Sequence, residues 1–254
     1  MKKWVLITGA SQGIGREFTK IFAADGWNLA LVARNRERLA QIADELAGLH
    51  GITAKVIAKD LSAPNIAQEI FDELQNDKVP ISILINNAAF GHQGSFAQID
   101  MPQHLDLIQV NVTALVQLTH LFLKPMLERR EGRILNVAST AAFVPGPFLG
   151  TYYASKAFVQ SFSYALGMEL KGTGVTVTSL CPGFTRSQFH TRAGLKRSEG
   201  FFMMEADAVA RIGYRALMKG RPVVIAGWMN KLAIALTRVI PTRWVASRVG
   251  KWNR

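Results

Sequence analysis

One stretch near the start decides the fold of this chain: Trp4-Val5-Leu6-Ile7-Thr8-Gly9-Ala10-Ser11-Gln12-Gly13-Ile14-Gly15. Its apolar half predicts a buried strand, and the amphipathic pattern that follows predicts a helix over residues 13–25. The glycines between them permit a tight turn and let backbone N–H groups approach a pyrophosphate, beside the positive end of the helix dipole. The sequence therefore predicts a dinucleotide site formed by Gly9, Ser11, Gln12, Gly13, Ile14 and Gly15.

Short apolar runs alternate with longer amphipathic runs along the rest of the 254 residues. The apolar runs predict strands at 4–8, 28–33, 53–58, 81–85, 133–138, 175–180 and 223–225. The amphipathic runs predict helices at 13–25, 36–49, 65–76, 103–130, 152–171 and 205–219. This alternation is typical of α/β proteins, and it predicts a Rossmann-like, doubly wound three-layer fold: a seven-stranded, mainly parallel sheet with helices on both faces. Because no linker or repeat interrupts the pattern, we expect a single domain over residues 1–254.

The end of the second predicted strand distinguishes between two nicotinamide cofactors. An NAD(H) site carries Asp or Glu there to bond the ribose 2′-hydroxyl, whereas this chain has Ala33 followed by Arg34. A guanidinium suits a 2′-phosphate in charge and in geometry, and Arg16 would add a second positive charge. We therefore favour NADP(H) over NAD(H), with the alternative that Arg34 only begins a solvated helix.

Composition limits the classes of protein that fit. The chain has 30 Lys and Arg against 18 Asp and Glu, a net charge of +12. Its single cysteine, Cys181, excludes an intramolecular disulfide and favours a reduced, cytoplasmic setting. The histidines lack ligand spacing, so no metal site is predicted. The first apolar run is too short for a signal peptide, and no uncharged apolar run reaches about 18 residues, so no membrane-spanning helix is predicted.

Ser139, Tyr152 and Lys156 have a spacing suited to proton transfer. Tyr152 and Lys156 stand four positions apart, so on a helix they share one face. An ammonium held near a phenol lowers the phenol pKa from about 10, which makes tyrosine usable as an acid or base near neutral pH. A serine hydroxyl from a neighbouring strand end would hold the oxygen that takes the proton. The alternative is a chance contact between a tyrosine and a lysine.

A set of motifs occurs in order along the chain: Thr8-Gly9-x-x-x-Gly13-x-Gly15, Asp60-Leu61, Asn86-Asn87-Ala88-Ala89, Asn111, Ser139 with Tyr152-x-x-x-Lys156, and Pro182-Gly183 with Thr185. Through these motifs the chain resembles the short-chain dehydrogenase/reductase family over nearly its full length. Its tail resembles that of the branch that includes ketoacyl and hydroxysteroid reductases. The family resemblance implies that Asp60 and Leu61 border the adenine, that Asn87 and Ala88 belong to the cofactor site, and that Pro182, Gly183 and Thr185 flank the nicotinamide. Ala89 replaces the usual glycine, which would cost about 1 kcal/mol if this position needed a positive φ.

The resemblance implies an oxidoreductase that transfers a hydride between nicotinamide C4 and a carbonyl or alcohol carbon. Ser139 would stabilise charge on the substrate oxygen, and Tyr152 would donate the proton. Lys156 would lower the Tyr152 pKa and, by family analogy, hold the nicotinamide ribose, while Asn111 would hold a water that passes protons to Lys156. Two alternatives stay open: a non-catalytic NADP(H)-binding sensor or scaffold, and an epimerase or dehydratase of the same family.

Aromatic loops and a basic tail are predicted to select the substrate and the partners. The loops over residues 90–96 and 143–149, with a lid over residues 184–204, are rich in Phe and Met, which predicts a pocket for a lipophilic ketone or secondary alcohol. The tail over residues 228–254 is basic and amphipathic, with a break at Pro241. It indicates either a peripheral membrane anchor or a helix pair that packs on its own subunit or on a partner. We expect a homodimer or homotetramer and no nucleic-acid partner.

Overall fold

The computed structural model describes residues 3–187, 189, 193–194 and 203–254, and its main sheet has seven strands, all parallel to their neighbours. The strands of this sheet are β1 (Trp4–Thr8), β2 (Asn28–Ala33), β3 (Ala54–Ala58), β4 (Ile81–Asn86), β5 (Gly132–Val137), β6 (Val175–Cys181) and β9 (Val223–Ile225). Two further short strands, β7 (Thr185–Arg186) and β8 (Met204–Glu205), pair with each other. The seven-stranded parallel sheet predicted from the sequence is therefore confirmed.

The helices flank this sheet. In the described residues they are α1 (Gly13–Ala24), α2 (Arg36–His50), α3 (Ile66–Asn76), α4 (Met101–Ile108), α5 (Ala114–Glu128), α6 (Gly150–Glu169), α7 (Ala206–Met218), α8 (Trp228–Thr237) and α9 (Thr242–Trp252). The single helix predicted over residues 103–130 is interrupted by a π-helical turn at Gln109–Thr113. Periodicity could not reveal this turn, because one extra residue in a helical turn leaves the apolar stripe on either side intact.

Alternating side chains send the strands' apolar residues to two separate cores. In β1, Val5 and Ile7 join one buried cluster while Leu6 joins the other, because successive strand side chains point to opposite faces. Helices α1, α2 and α7 cover the first face, and α3 and α5 cover the second. Both faces are thereby buried, as a parallel sheet requires.

The order of the strands locates the site. Across the sheet the order is β3-β2-β1-β4-β5-β6-β9. Strands β2 and β3 extend the sheet on one side of β1, and the strands from β4 onward extend it on the other, so the switch point lies between β1 and β4. In open α/β sheets a ligand binds in the crevice at the carboxyl ends of the strands beside such a switch point. Here those ends are the Thr8-Gly9 and Asn86-Asn87 segments.

One helical segment and the tail bear on membrane contact. The segment Met101–Glu128 is long and apolar enough to cross a membrane by length and composition, with a mean hydropathy of 1.2. Core helices of soluble proteins meet the same criterion, and its residues Leu118, Phe122 and Met126 are buried against the sheet. In the tail, α8 and α9 form the two helices separated at Pro241 that the sequence predicts.

Candidate active site

The glycine turn after β1 has the shape that a pyrophosphate needs. Gly9 has a φ of 66°, a region that favours glycine. A Cβ on Gly15 would lie 2.1 Å from the carbonyl oxygen of Gly9, so only glycine allows the turn to close on the start of α1. The Gln12 N-cap of α1 makes no side-chain hydrogen bond to the helix. The first N–H groups of α1 thus have no capping side chain, and the turn fits a bound phosphate group.

A hydrogen-bonded clamp joins the ends of β1 and β4. The hydroxyl of Thr8 accepts bonds from the backbone N–H groups of Asn87 and Ala88, each at 3.0 Å. In return, the side-chain amide of Asn87 donates to the carbonyl oxygen of Thr8 at 2.9 Å. The clamp holds the glycine turn against the loop after β4, so two of the predicted cofactor segments form one rigid edge.

A cavity of about 620 Å³ lies at this edge and brings together most of the predicted site. The predicted residues that line it are Gly9, Ser11, Gln12, Gly13, Ile14, Arg34, Asp60, Leu61, Asn87, Ala88, Ser139, Tyr152, Lys156, Pro182, Gly183 and Thr185. Gly15 and Asn111 do not line it. Gly15 instead shapes the turn from behind.

The adenine end of the cavity carries the residues that bear on cofactor choice. Arg34 is 69% exposed, and its guanidinium Nη1 lies 3.8 Å from the Asp60 carboxylate. Ala33, at the end of β2, offers no carboxylate for a ribose hydroxyl. Arg16 does not line this cavity and lies 3.8 Å from Glu45 instead.

Ser139 and Tyr152 meet where β5 ends and α6 begins. Ser139 caps the 3-10 turn Thr140–Phe143, where its hydroxyl oxygen accepts a bond from the Ala141 N–H at 3.1 Å. Tyr152 lies in the first turn of α6, near enough to Ser139 for the serine to oppose the effect of burial on the Tyr152 pKa. Both side chains line the same cavity.

Lys156 follows one turn later on α6, close to the ring of Tyr152. Its Nζ donates to the carbonyl oxygen of Val137 at 2.8 Å and lies 5.9 Å from the centroid of the Tyr152 ring. Burial raises the pKa of Tyr152 above its ordinary value, against a smaller opposing effect of Ser139. Removal from water is thus the dominant effect on the Tyr152 pKa, and Lys156 is not among the causes of the shift, so the lowering of this pKa by Lys156 stays a prediction. Burial also lowers the pKa of Lys156 to about 8.

Asn111 lies behind the cavity in the π-helical turn. Its side-chain amide donates to the carbonyl oxygen of Phe90 at 2.9 Å and to the Ser155 hydroxyl at 3.1 Å. Its side-chain oxygen accepts from the Phe90 N–H at 3.1 Å. Asn111 therefore fixes the loop after β4 against α6. The alanine at position 89 of this loop is not among the described residues with positive φ, so the replacement of glycine brings no such strain.

The apolar walls are only partly described. Phe90, Phe184 and Phe189 line the cavity, and the Phe189 ring lies 5.2 Å from that of Tyr152. Much of the predicted lid, including His190, Phe201 and Phe202, lies outside the described residues. Gln93 also lines the cavity and falls in the loop over residues 90–96 predicted to select the substrate. Sequence reasoning missed Tyr153 and the end of the tail: Lys251, Trp252, Asn253 and Arg254. No local pattern marks the tail residues, because they reach the cavity only when the tail folds back.

Other reactive groups lie apart from the cavity or cannot form a metal centre. Cys181, in β6, is fully buried, and burial raises its pKa to about 11, so it stays a thiol at neutral pH. Within the described parts of the chain, no group of three or more His, Cys, Asp or Glu side chains is placed to hold a metal ion.

Known proteins resemble both the sequence and the fold. A family model described as short chain dehydrogenase matches residues 3–197. The very-long-chain 3-oxoacyl-CoA reductase of Anas platyrhynchos is 31% identical, over 99% of this chain and 80% of its own length. The 17-beta-hydroxysteroid dehydrogenase type 3 of Mus musculus is 37% identical, over 72% of this chain and 60% of its own. Fungal very-long-chain 3-oxoacyl-CoA reductases match over only about half of their length, 51% to 55%.

Among solved structures, a short-chain dehydrogenase from Sphingobium yanoikuyae in complex with NADPH superposes with a TM-score of 0.84. It is 31% identical to this chain, with 94% of this chain and 96% of that one covered. The relatives named above fall in the ketoacyl and hydroxysteroid reductase branch that the tail resembles. Since the family model matches most of the chain, and the strand order and glycine turn agree with it, this chain belongs to the short chain dehydrogenase family of nicotinamide-binding oxidoreductases that act on CH–OH groups.

Proposed function

We propose that the protein is an NADP(H)-dependent oxidoreductase that interconverts a lipophilic ketone and its secondary alcohol. One observation carries this proposal: Ser139, Tyr152 and Lys156 line the same cavity as the glycine turn after β1. A pair of hydroxyl groups beside a dinucleotide site is what carbonyl reduction needs, since the carbonyl oxygen gains charge and then a proton. The bound nicotinamide would supply or accept the hydride.

Tyr152 is the proposed proton donor. Its pKa is raised by burial, so it keeps its proton at neutral pH. A protonated phenol suits an acid in the direction of ketone reduction. Ser139, which lines the same cavity, would donate a hydrogen bond to the carbonyl oxygen and align it.

Lys156 is proposed to hold positive charge beneath this pair. Its pKa of about 8 leaves it mostly protonated at pH 7. Its place between the Val137 carbonyl and the Tyr152 ring gives it a fixed position at the floor of the cavity. An ammonium there would favour ribose hydroxyl oxygens as partners and would steady the charge that develops when Tyr152 releases its proton. Asn111 supports this arrangement from behind through Ser155.

The cofactor choice rests on Arg34. Its exposed guanidinium at the end of β2 supports a 2′-phosphate partner, and the carboxylate that would favour NAD(H) is missing at Ala33. The related Sphingobium structure, which contains NADPH, supports the same preference.

The substrate class rests on the cavity walls. The cavity has an aromatic lining that includes Phe90, Phe184, Phe189 and Trp252. Apolar walls with a few convergent hydroxyl groups favour a bulky, lipophilic carbonyl compound. The named substrates of the relatives, a 3-oxoacyl thioester and a 17-hydroxysteroid, support this class without fixing its member.

We further propose that the tail contacts an anionic membrane surface from the cytoplasmic side. Helices α8 and α9 leave Trp228, Val239 and Trp244 exposed by 70%, 79% and 63%. The sequence from Arg221 onward carries seven basic residues and no acidic one. An apolar face with tryptophans and a cationic rim is typical of interfacial helices.

The exposed Met101, Leu105 and Ile108 of α4 support a separate homo-oligomeric contact.

A cofactor and substrate screen tests the proposed function. Purified protein is assayed with a graded set of aliphatic, aromatic and steroid ketones, and with the matching alcohols, against NADPH and NADH at the nicotinamide absorbance. We expect turnover of bulky apolar ketones with NADPH and weaker turnover with NADH. If the protein bound NADPH but turned over no ketone or alcohol, a sensor or scaffold would be favoured. If the substrate lost water without net oxidation of the cofactor, a dehydratase would be favoured. If a stereocentre of the substrate were inverted without net oxidation of the cofactor, an epimerase would be favoured.

A further inference from the structure

The last turn of α9 and the residues after it form part of the cavity wall beside Tyr152. We call residues 250–254 the C-terminal strap. Lys251, Trp252, Asn253 and Arg254 line the cavity, and Asn253 is only 4% exposed. A surface anchor alone does not require this burial, so the strap has a second role at the site.

Asn253 connects the strap to two loops. Its side-chain amide donates to the carbonyl oxygen of Pro147 at 2.9 Å. Its backbone carbonyl accepts a bond from the side-chain amide of Gln93. These two partners belong to the loops after β4 and after β5, which are the loops expected to select the substrate.

Tyr153 brings the strap to the start of α6. It follows Tyr152 directly and lines the cavity. Burial raises the pKa of Tyr153, and the nearby Asn253 side chain opposes this effect. A Cβ on Gly146 would lie 2.3 Å from the Tyr153 ring. Tyr153 thus lies close to both the strap and the loop after β5, one residue from the proposed proton donor.

Two aromatic contacts and one glycine contact also join the strap to these loops and to the lid. Trp252 stacks on Phe184 with ring centroids 5.4 Å apart and an interplanar angle of 13°. The Arg254 guanidinium lies 4.8 Å above the Phe148 ring. A Cβ on Gly250 would come within 3.2 Å of Pro147. All three partners belong to segments predicted to select the substrate: Pro147 and Phe148 to the loop over residues 143–149, and Phe184 to the start of the lid.

We propose that the C-terminal strap is the specificity-determining wall of the substrate pocket and that Asn253 is the positioning residue that holds it closed. This inference rests on the proposed ketone reductase function. Within the described part of the chain, the hydrogen bonds and ring contacts of the strap join it to the substrate loops, so it selects the ketone by size and leaves cofactor binding alone. The indole of Trp252 sets how far the pocket extends beyond Tyr152.

Substitutions in the strap test the inference through the balance of KM and kcat. The variants are Asn253→Ala, Trp252→Ala and Trp252→Phe, with Arg248→Ala as the control because Arg248 is exposed on the same helix and does not line the cavity. Each is assayed with one small and one bulky ketone from the set that the wild-type protein accepts, and NADPH affinity is measured by fluorescence titration. Trp252 is 53% exposed, so we expect its variants to keep the fold.

We expect Asn253→Ala to raise KM for the ketones about tenfold, with little change in kcat or in NADPH affinity, as the loss of its buried hydrogen bond to Pro147 predicts. Trp252→Ala should shift the ratio of kcat/KM for bulky over small ketones about tenfold toward the bulky one, and Trp252→Phe should restore the wild-type ratio by keeping the stack on Phe184.

Unchanged selectivity in both Trp252→Ala and Asn253→Ala, or the same change in Arg248→Ala, would overturn the inference while leaving the reductase intact. A parallel loss of NADPH affinity would also overturn it, since the strap would then act on the whole fold. A wild-type protein without turnover of any ketone or alcohol fails at the earlier step, the proposed function, and removes the inference with it.

Discussion

Lys156 is an ammonium buried to 3% exposure, and its charge costs folding free energy. Its folded-state pKa of about 8 lies below the ordinary value of 10.5. Between these two pH values the folded protein has released this proton while the unfolded chain still holds it. Stability contributed by this group therefore rises with pH from about 8 to about 10.5 and is lowest below that window.

Replacement of Lys156 by Met should remove this pH dependence. Relative to Lys156→Met, the wild-type free energy of unfolding should rise by about 2 kcal/mol between pH 8 and pH 9.5. Urea unfolding at the two pH values measures the difference, with the exposed Lys171→Met as a control that should follow the wild type. If the free energy of unfolding changed with pH in parallel for Lys156→Met and the wild type, burial of the Lys156 ammonium would not destabilise the folded protein as stated.

Arg34 is the residue on which the cofactor preference depends. Because it would pair with a 2′-phosphate, Arg34→Ala should raise the KM for NADPH about tenfold and leave the KM for NADH unchanged. Steady-state kinetics with both cofactors measure this, and Arg36→Ala, which changes an exposed arginine two residues later at the start of α2, serves as the control. An equal rise for both cofactors would contradict the assignment.

At the residue scale, motif spacing predicted the identity of the site residues better than their electrostatics. The glycine turn, Ser139, Tyr152 and Lys156 follow from local sequence, and the structure brings them to one cavity. The direction of the Tyr152 pKa shift did not follow, because burial depends on segments distant in sequence. The proximity of Tyr152 to Phe189 is one such contact.

At the element scale, the turn between β1 and α1 depends on Gly15. A Cβ there would clash with the Gly9 carbonyl at 2.1 Å and with the Asn87 amide at 2.5 Å, so Gly15→Ala should open the turn and abolish detectable NADPH binding. The matched control is Gly48→Ala in α2, where a Cβ meets nothing within 4 Å. That change should stabilise the protein by about 0.5–1 kcal/mol without affecting binding.

Melting temperature and NADPH fluorescence titration separate the two glycine variants. Gly15→Ala should lose both stability and binding, while Gly48→Ala keeps binding and gains stability. Wild-type affinity in Gly15→Ala would show that the turn tolerates a side chain and that its tight closure is not required.

The helices also show what periodicity alone cannot predict. Helix bounds agree with the apolar patterns at α1, α2 and α3. The π-helical turn at Gln109–Thr113 escaped prediction, although it holds Asn111 against Phe90 and Ser155. Its position is set by those tertiary hydrogen bonds rather than by local propensity.

At the scale of the whole molecule, the tail exposes an apolar face, and its last residues line the cavity. The alternatives of self-packing and membrane contact are therefore compatible: Ile234 and Gly250 are buried, whereas Val239 and Trp244 are exposed. The sequence predicted both helices, but their contacts with Pro147 and Phe184 depend on loops about 70 to 100 positions away. The single-domain organisation remains a prediction.

Vesicle flotation tests the membrane surface without damage to the C-terminal strap. The double variant Val239→Ser and Trp244→Ser removes exposed apolar area and keeps the hydrogen bonds of Asn253. We expect the wild-type protein to float with phosphatidylglycerol vesicles and the double variant to float several-fold less, with Leu49→Ser, exposed by 71% on α2, as the control. Equal flotation of all three proteins, or a preference of the wild type for neutral vesicles, would contradict the proposed contact of the tail with an anionic membrane. If the double variant no longer formed a dimer, the apolar face of the tail would be assigned to subunit contact instead.

The central claim is that Tyr152 gives its proton to a carbonyl oxygen beside a bound nicotinamide. Turnover of the best ketone by Tyr152→Phe, measured together with NADPH affinity, tests it most directly. Because general acid catalysis contributes about 100-fold or more, we predict a fall in kcat of at least that size with NADPH affinity unchanged. Turnover within about tenfold of the wild type would contradict the claim, since the hydroxyl would then not be the proton donor.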